Sequence, residues 1–355
     1  MPKSWWNGPV KAEPNFNNLL KVLRREKPDR PTLFEFYLNG RIDRFVLSGK
    51  SEGDDQYSGI TYGEMRRWMA AFHAIGYDYS TVAIPGFTFP LKVQDHKATL
   101  SANDGVMITD RQSFNDYAWP DPDLADYAIL DALGNDMPKG MKLLVCGPGG
   151  VLENANFILG FENMCYLIAD DEKLVEDVFE FIGTRLVQYY TKALESKHVG
   201  AIISNDDWGF KSQTMLSPEN MRKFVFPWHK QIVEAAHKAG KPVILHSCGN
   251  LKDVMDDIID DMKYDGKHSY EDTILPVEQA YDQYGDRIAI MGGIDLDFVV
   301  RSTPEEVYQR SRAMLERASS RGGYALGTGN SVPEYVPHDN YLAMISAATS
   351  DRAQS

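Results

Sequence analysis

Pro242-Val243-Ile244-Leu245-His246-Ser247-Cys248-Gly249 is the stretch that decides how the rest of the chain is read. Its apolar, β-branched first half has the length and character of a buried strand. Side chains two apart on a strand share a face, so His246 and Cys248 are expected to present an imidazole and a thiol together, where Gly249-Asn250 breaks the strand. A nitrogen and a sulfur in that relation suit a borderline-soft metal, zinc above all. His246 and Cys248 are therefore the candidate metal ligands. For an isolated His-x-Cys, a buried cysteine beside a hydrogen-bonded histidine is the ordinary alternative. The ligand reading is favoured here because chemically similar strand ends recur along the chain.

Working outward, apolar β-rich runs fall at 32–37, 79–84, 142–146, 200–205, 243–248, 264–268, 288–292 and 324–328. Helical patterns separate them, so the order is that of a (β/α)8 TIM barrel. A doubly wound sheet is the alternative, but no Gly-x-Gly-x-x-Gly follows the first strand. Thr303-Pro304-Glu305-Glu306 is a capping box with proline at the first helical position, and that helix is expected to end near Gly322-Gly323. Ser217-Pro218-Glu219 opens another, expected to run towards Gly240 despite Pro227. A third starts at Ala169-Asp170-Asp171-Glu172 and runs to about Glu195, with Leu174, Val178, Phe181 and Ile182 on its core face. The segment 85–140 is rich in Pro, Gly, Asp and aromatics, with one strand-like piece at 106–109. A connection of that length after the second strand is expected over the barrel mouth as a rim insertion. Residues 1–25 read as an N-terminal extension and 26–355 as one barrel domain.

Composition narrows the classes. The 355 residues are 43% hydrophobic and 25% charged, with no apolar run near the ~18 residues a membrane helix needs. The first residues lack the apolar core of a secretory signal. Three cysteines without close spacing make no disulfide framework, so a reducing cytoplasm is expected. A net charge of −14 with no Lys/Arg cluster argues against nucleic-acid binding.

Barrel active sites lie at the C-terminal strand ends. Those ends here carry Glu35, Cys146-Gly147, Asp206-Asp207, His246 with Cys248, His268, Asp295 and Thr328 to Asn330. Asp206 and Asp207 are neighbours, so one points inward; Asp207 is taken as that one, with Asp206 capping a helix or meeting solvent. Glu35 is either a site carboxylate or half of a structural pair. His268 reads equally as ligand, proton carrier or satisfied core histidine. Asp207, Glu35 and His268 are the catalytic candidates, and Tyr37, Asp295 and Asn330 the substrate-binding ones. Cys146 reads as a small buried hydrophobe, and His73, His96, His198, His229, His237 and His338 receive no role. Gly147-Pro148-Gly149-Gly150 is turn chemistry, and no P-loop, Gly-x-Ser-x-Gly or His-Glu-x-x-His motif occurs.

Taken together, Glu26-Lys27-Pro28-Asp29-Arg30-Pro31, Asn205-Asp206-Asp207-Trp208-Gly209, Ser217-Pro218-Glu219 with Phe226-Pro227, His246-Ser247-Cys248-Gly249-Asn250, Gly292-Gly293-Ile294-Asp295, and Gly329-Asn330-Ser331 through Val336-Pro337 to Asn340-Tyr341 resemble the uroporphyrinogen decarboxylase superfamily. The likeness is greatest to its corrinoid-dependent methyltransferase branch. It implies a (β/α)8 barrel with one deep cleft and, by family habit, a homodimer. Decarboxylases of the family carry an arginine-containing loop after the first strand that holds the porphyrinogen carboxylates. This chain instead reads Phe34-Glu35-Phe36-Tyr37-Leu38-Asn39-Gly40-Arg41, and a charged Glu35 there would repel a poly-anion. The methyltransferase branch binds zinc through a His-x-Cys pair and a later cysteine. His246 and Cys248 match the pair, but no cysteine follows Cys248. Glu35, Asp207 or His268 could complete the site.

The resemblance thus leads to a zinc-dependent methyltransferase acting between a small-molecule substrate and a corrinoid. The corrinoid is expected on a partner protein, since Asp-x-His-x-x-Gly is absent. The alternative is a cofactor-free, uroporphyrinogen decarboxylase-like decarboxylase. A barrel that binds a small ligand or corrinoid protein without turnover is a third reading, disfavoured by the ionisable groups at its strand ends.

Overall fold

The computed structural model describes residues 5–6, 8–11, 13–48, 61–91 and 106–350. His96 and part of the 85–140 segment lie outside them. Seven strands form one parallel sheet in sequence order: β1 (Tyr79–Ala83), β2 (Lys142–Cys146), β3 (Val199–Asn205), β4 (Val243–His246), β5 (Gly266–His268), β6 (Ala289–Met291) and β7 (Tyr324–Ala325). Parallel neighbours in sequence order require a crossover between each pair, and helices supply most of it. The strands are buried almost throughout, which is why they read as continuous apolar runs rather than alternating ones.

The expected first strand at 32–37 is instead a single parallel bridge, Leu33 to Leu326. Phe34 N donates to Leu326 O and Leu326 N to Thr32 O, both at 2.8 Å, after which the ladder stops. From there a side chain does the pairing: Glu35 N donates to the Tyr79 hydroxyl, which donates to Glu35 O, each at 2.7 Å. The segment therefore joins the β7 edge by backbone and β1 through a tyrosine. Backbones meet closely here, for a Cβ on Gly327 would stand 1.7 Å from Phe34 O.

Register sets the level of the site. Asn205 on β3 pairs His246 on β4, which pairs His268 on β5. The loop carrying Asp206-Asp207 and the two histidines thus leave the sheet at one height.

The helix signals mostly hold. Thr303 and Glu306 close their capping box, but the helix stops at Ala318, short of Gly322-Gly323. Asp171 caps the helix Glu172–Ala193, while Ala169 and Asp170 end the preceding one. Pro227 is tolerated because the segment after Ser217 is not one helix. A short turn (Pro218–Asn220) passes through a π-helical stretch (Met221–Val225) into the helix Phe226–Lys238, where Pro227 lies in the first turn and needs no intrahelical donor.

Residues 106–109 form no strand; Met107 N and Ile108 N both donate to Ile158 O. Aromatic rings of the 85–140 segment pack on the helix Glu172–Ala193, with Phe114 and Trp119 both 5.0 Å from the Phe181 ring. Among the described residues no helix is long and apolar enough to cross a membrane.

Candidate metal centre

The adjacent carboxylates after β3 diverge. Asp206 is fully buried and accepts four hydrogen bonds: from Leu152 N (2.9 Å), Glu153 N (2.8 Å), Trp208 Nε1 (2.8 Å) and His229 Nε2 (2.9 Å). It satisfies the free N–H groups that open the helix Val151–Leu159, so its charge is used in holding the fold. Asp207 turns the other way, and its Oδ1 accepts from Cys248 N at 2.9 Å.

Strand β4 ends at His246, yet the turn beyond it keeps Cys248 on the same side, with Sγ 3.9 Å from His246 Nε2. One ligand atom each from Asp207, His246 and Cys248 lies within 4.8 Å of the others. Two glycines allow this. Gly249 has φ +88°, and a Cβ there would stand 2.1 Å from Gly209 O. The turn that presents Cys248 thus packs backbone to backbone on the loop that presents Asp207, fastened by Asn250 N to Phe210 O and by Trp208 N to Ser247 Oγ.

A hydrogen-bond chain orients the imidazole. His268, fully buried, donates from Nε2 to Thr328 O at 3.0 Å, which leaves its Nδ1 as an acceptor. His246 Nδ1 lies 2.8 Å from that nitrogen and therefore carries the proton. The His246 Nε2 lone pair then faces Cys248 and Asp207. Burial keeps both rings neutral, lowering His246 well below the usual range and His268 to about 3. Fixing a ligand histidine through its other nitrogen is how metal sites set a tautomer.

Burial, reinforced by the Asp207 charge, pushes the Cys248 thiol up to about 12. Asn330 Nδ2 donates to its Sγ at 3.2 Å, and Ser269 Oγ lies 3.7 Å away. Lys267 offsets part of the acid's effect; its ammonium is buried behind the same strand end and donates to Ser269 O at 2.6 Å. A divalent cation would reverse the balance, since it favours the thiolate and is attracted by the carboxylate. An imidazole lone pair, a thiol and a carboxylate together could hold zinc, which accepts N, S and O ligands.

The other sequence candidates stand around this cluster. Glu35 and His268 are fully buried and reach it through Thr328 and His246. The Tyr37 hydroxyl meets the buried Cys146 Sγ at 2.8 Å. Asp295 caps the helix Leu296–Arg301 through Phe298 N and also accepts from Asp272 N. Asn330 and Asp295, with Tyr270, Lys211 and Phe298, line an open cavity of about 770 Å³, room for a small molecule, which reaches the cluster through the Asn330 contact with Cys248. Sequence reasoning passed over Glu153. Burial first, then the charges of Asp206 and Asp207, raise its carboxyl to about 8, while its Oε2 accepts from Gly150 N at 2.9 Å in the capping box of the helix Val151–Leu159. Its place just after the glycine turn that ends β2 was the available signal. His229 takes no part in the cluster and is a buried partner of Asp206.

One inference from sequence is corrected. Glu35 does not project a negative charge into the cleft: it is buried against Thr328, and desolvation raises its carboxyl to about 8. Charge repulsion by Glu35 is therefore no argument against an anionic substrate.

A parallel α/β sheet whose strand ends gather histidine, thiol and carboxylate is the framework of a barrel-type enzyme site. The model of the family described as Uroporphyrinogen decarboxylase (URO-D) matches residues 133–350, and the chain belongs to that family. It is 29% identical over 181 residues to a methylated-thiol–coenzyme M methyltransferase of Methanosarcina mazei, covering 50% of this chain and 46% of that protein. It is 26% identical over 143 residues to a uroporphyrinogen decarboxylase of Geobacter metallireducens, covering 39% and 38% of the two chains. The chain thus matches less than half the length of either curated relative. A solved methyltransferase structure from Methanosarcina mazei superposes with a TM-score of 0.75 at 14% identity, over 97% of this chain and 99% of that one, a likeness of fold.

Proposed function

We propose that this protein is a zinc-dependent methyltransferase, moving a methyl group between a small substrate and a corrinoid cofactor carried by a partner protein. The observation that carries the reading is the convergence of Asp207, His246 and Cys248, with the His246 Nε2 lone pair turned into the cluster. The similarity to a methylated-thiol–coenzyme M methyltransferase supports the reaction class. We read the 32–35 segment as the eighth stave of a (β/α)8 barrel, through its bridge to Leu326 and its Tyr79 contact.

Zinc, when bound, would lower the pKa of a substrate thiol or alcohol and stabilise its anion. The chain's own residues do the rest. His246, Cys248 and Asp207 would hold the ion, and His268 with Thr328 keeps the imidazole in the tautomer that leaves Nε2 free to ligate. Asn330 borders both Cys248 and the cavity, so it orients the substrate.

Decarboxylation without a cofactor is the second reading. It is favoured by the decarboxylase relative and by the withdrawal of Glu35 from the cleft. Elemental analysis of wild type beside His246→Ala/Cys248→Ala separates the two. About one zinc per chain, absent from the double variant, together with methyl transfer from methylcobalamin to a thiol, supports the proposal. No zinc in either protein, with decarboxylation surviving in the double variant, overturns it.

A further inference from the structure

Glu35 is a buried acid that the mechanism leaves unused, and a proton count at Thr328 fixes its state. The Thr328 hydroxyl owns one hydrogen but has two oxygens within hydrogen-bond reach, Asn330 O and Glu35 Oε2. A backbone carbonyl can only accept, so the Thr328 proton goes to Asn330 O. The 2.8 Å contact with Glu35 Oε2 must then be supplied by the glutamic acid, while Glu35 Oε1 accepts from Thr328 N at 2.7 Å. A carboxylic acid meets both demands at once; a carboxylate meets one.

We infer that Glu35 is a neutral carboxylic acid acting as a positioning residue, donating to Thr328 Oγ1 and thereby setting the 328–330 turn that aims both His246 and Cys248. That turn supplies Thr328 O to His268, which orients His246, and Asn330 Nδ2 to the Cys248 sulfur. The surroundings agree. Among the described residues, the titratable groups that interact electrostatically with Glu35 are Tyr77 and Tyr79 at β1, Tyr324 on β7 and Tyr341 on the helix His338–Thr349. None of them is a cation. Tyr79 uses its hydroxyl on the Glu35 backbone, and Tyr77 and Tyr341 use theirs on each other at 2.6 Å. His268, beyond Thr328, is neutral. Once Glu35 ionises it can no longer donate; the Thr328 proton must turn towards the carboxylate, and Asn330 O loses its donor.

The test compares wild type, Glu35→Gln and Glu35→Ala. Glutamine keeps one donor and one acceptor in the same places, whereas a true carboxylate would be mimicked badly by it. In wild type minus Glu35→Gln infrared difference spectra near neutral pH, a protonated-acid C=O band is expected. In ¹⁵N-histidine-labelled protein without added metal, the protected His246 and His268 ring N–H signals are expected to persist in Glu35→Gln and broaden in Glu35→Ala. Neither readout needs a metal. The effect on metal ligands rests on the function proposed above: zinc affinity of wild type should fall about tenfold relative to Glu35→Gln as pH passes 8. No acid band, or imidazole signals lost equally in Glu35→Gln and Glu35→Ala, overturns the inference. An acid band with protected imidazoles in a protein that takes up no zinc overturns the metal reading and leaves Glu35 as assigned.

Discussion

Asn330 Nδ2 donates to Cys248 Sγ at 3.2 Å, so the turn after β7 meets the His-x-Cys pair with an amide. The amide oxygen is engaged by Ser331 N at 2.7 Å, which fixes the donating face towards the sulfur. The thiol therefore has a hydrogen-bonding neighbour on the side of the turn after β7.

Replacing that amide by sulfur should convert an oxygen-containing donor set into a thiolate-richer one. Under reducing conditions, Asn330→Cys is expected to tighten zinc by about tenfold, because soft ligands favour zinc and the position already adjoins Cys248. Chelator competition on the purified variant measures it. Unchanged affinity would mean that the turn cannot bring a third-row atom within bonding distance.

Asp206 and Asp207 should respond in opposite ways to substitution. Asp206→Ala leaves Trp208 Nε1, His229 and two helix N–H groups without their buried acceptor, and is expected to cost about 3–5 kcal/mol in stability. Asp207→Asn keeps the acceptor for Cys248 N, so thermal unfolding should hardly move while bound zinc falls. Denaturation and metal analysis on both proteins distinguish the roles, and equal loss of stability would refute the division.

This pair also shows what a single sequence can and cannot tell. Strand spacing identifies which loops face the site, but neighbouring aspartates are separated by the trans partner of one of them, here the helix after β2, about 54 residues away in sequence. The sheet order was legible because most of the buried parallel strands read as apolar runs, whereas the His246–Cys248 pairing followed from strand alternation although Cys248 lies past the strand and is held there by the turn at Gly249. The 32–37 run was expected to be a full strand, but Tyr79 replaces the backbone ladder there and no local pattern announces that. Glu35 looked like a charge in the cleft because a carboxyl's protonation depends on burial, which arises only in the fold.

Gly249 should tolerate no side chain. Its φ of +88° disfavours L-residues, and an added Cβ would stand 2.1 Å from Gly209 O, a backbone atom that cannot swing aside. Gly249→Ala is expected to lose about 1–3 kcal/mol and to release zinc more readily, since the turn carrying Cys248 must lift from the loop carrying Asp207. Unfolding curves with and without zinc report both effects. A variant as stable and as metal-retentive as wild type would show that the two loops are not held in register by this contact.

Glu35 should make stability depend on pH in a definite direction. Its ordinary value is 4.5, and burial raises it to about 8 in the folded protein. Between those values the folded state holds a proton that the unfolded chain has released, so this group's contribution is complete below about 4.5 and is lost as pH rises through about 8. The slope is about 1.4 kcal/mol per pH unit within the window. Glutamine has no proton to retain, and the lowered values of His246 and His268 act equally in both proteins. The stability of Glu35→Gln relative to wild type should therefore rise steadily with pH across the window and level off above about 8. Chemical denaturation at several pH values measures the difference. A difference that shrinks with rising pH would mean that Glu35 is ionised in the folded protein and that the proton at Thr328 has been wrongly assigned.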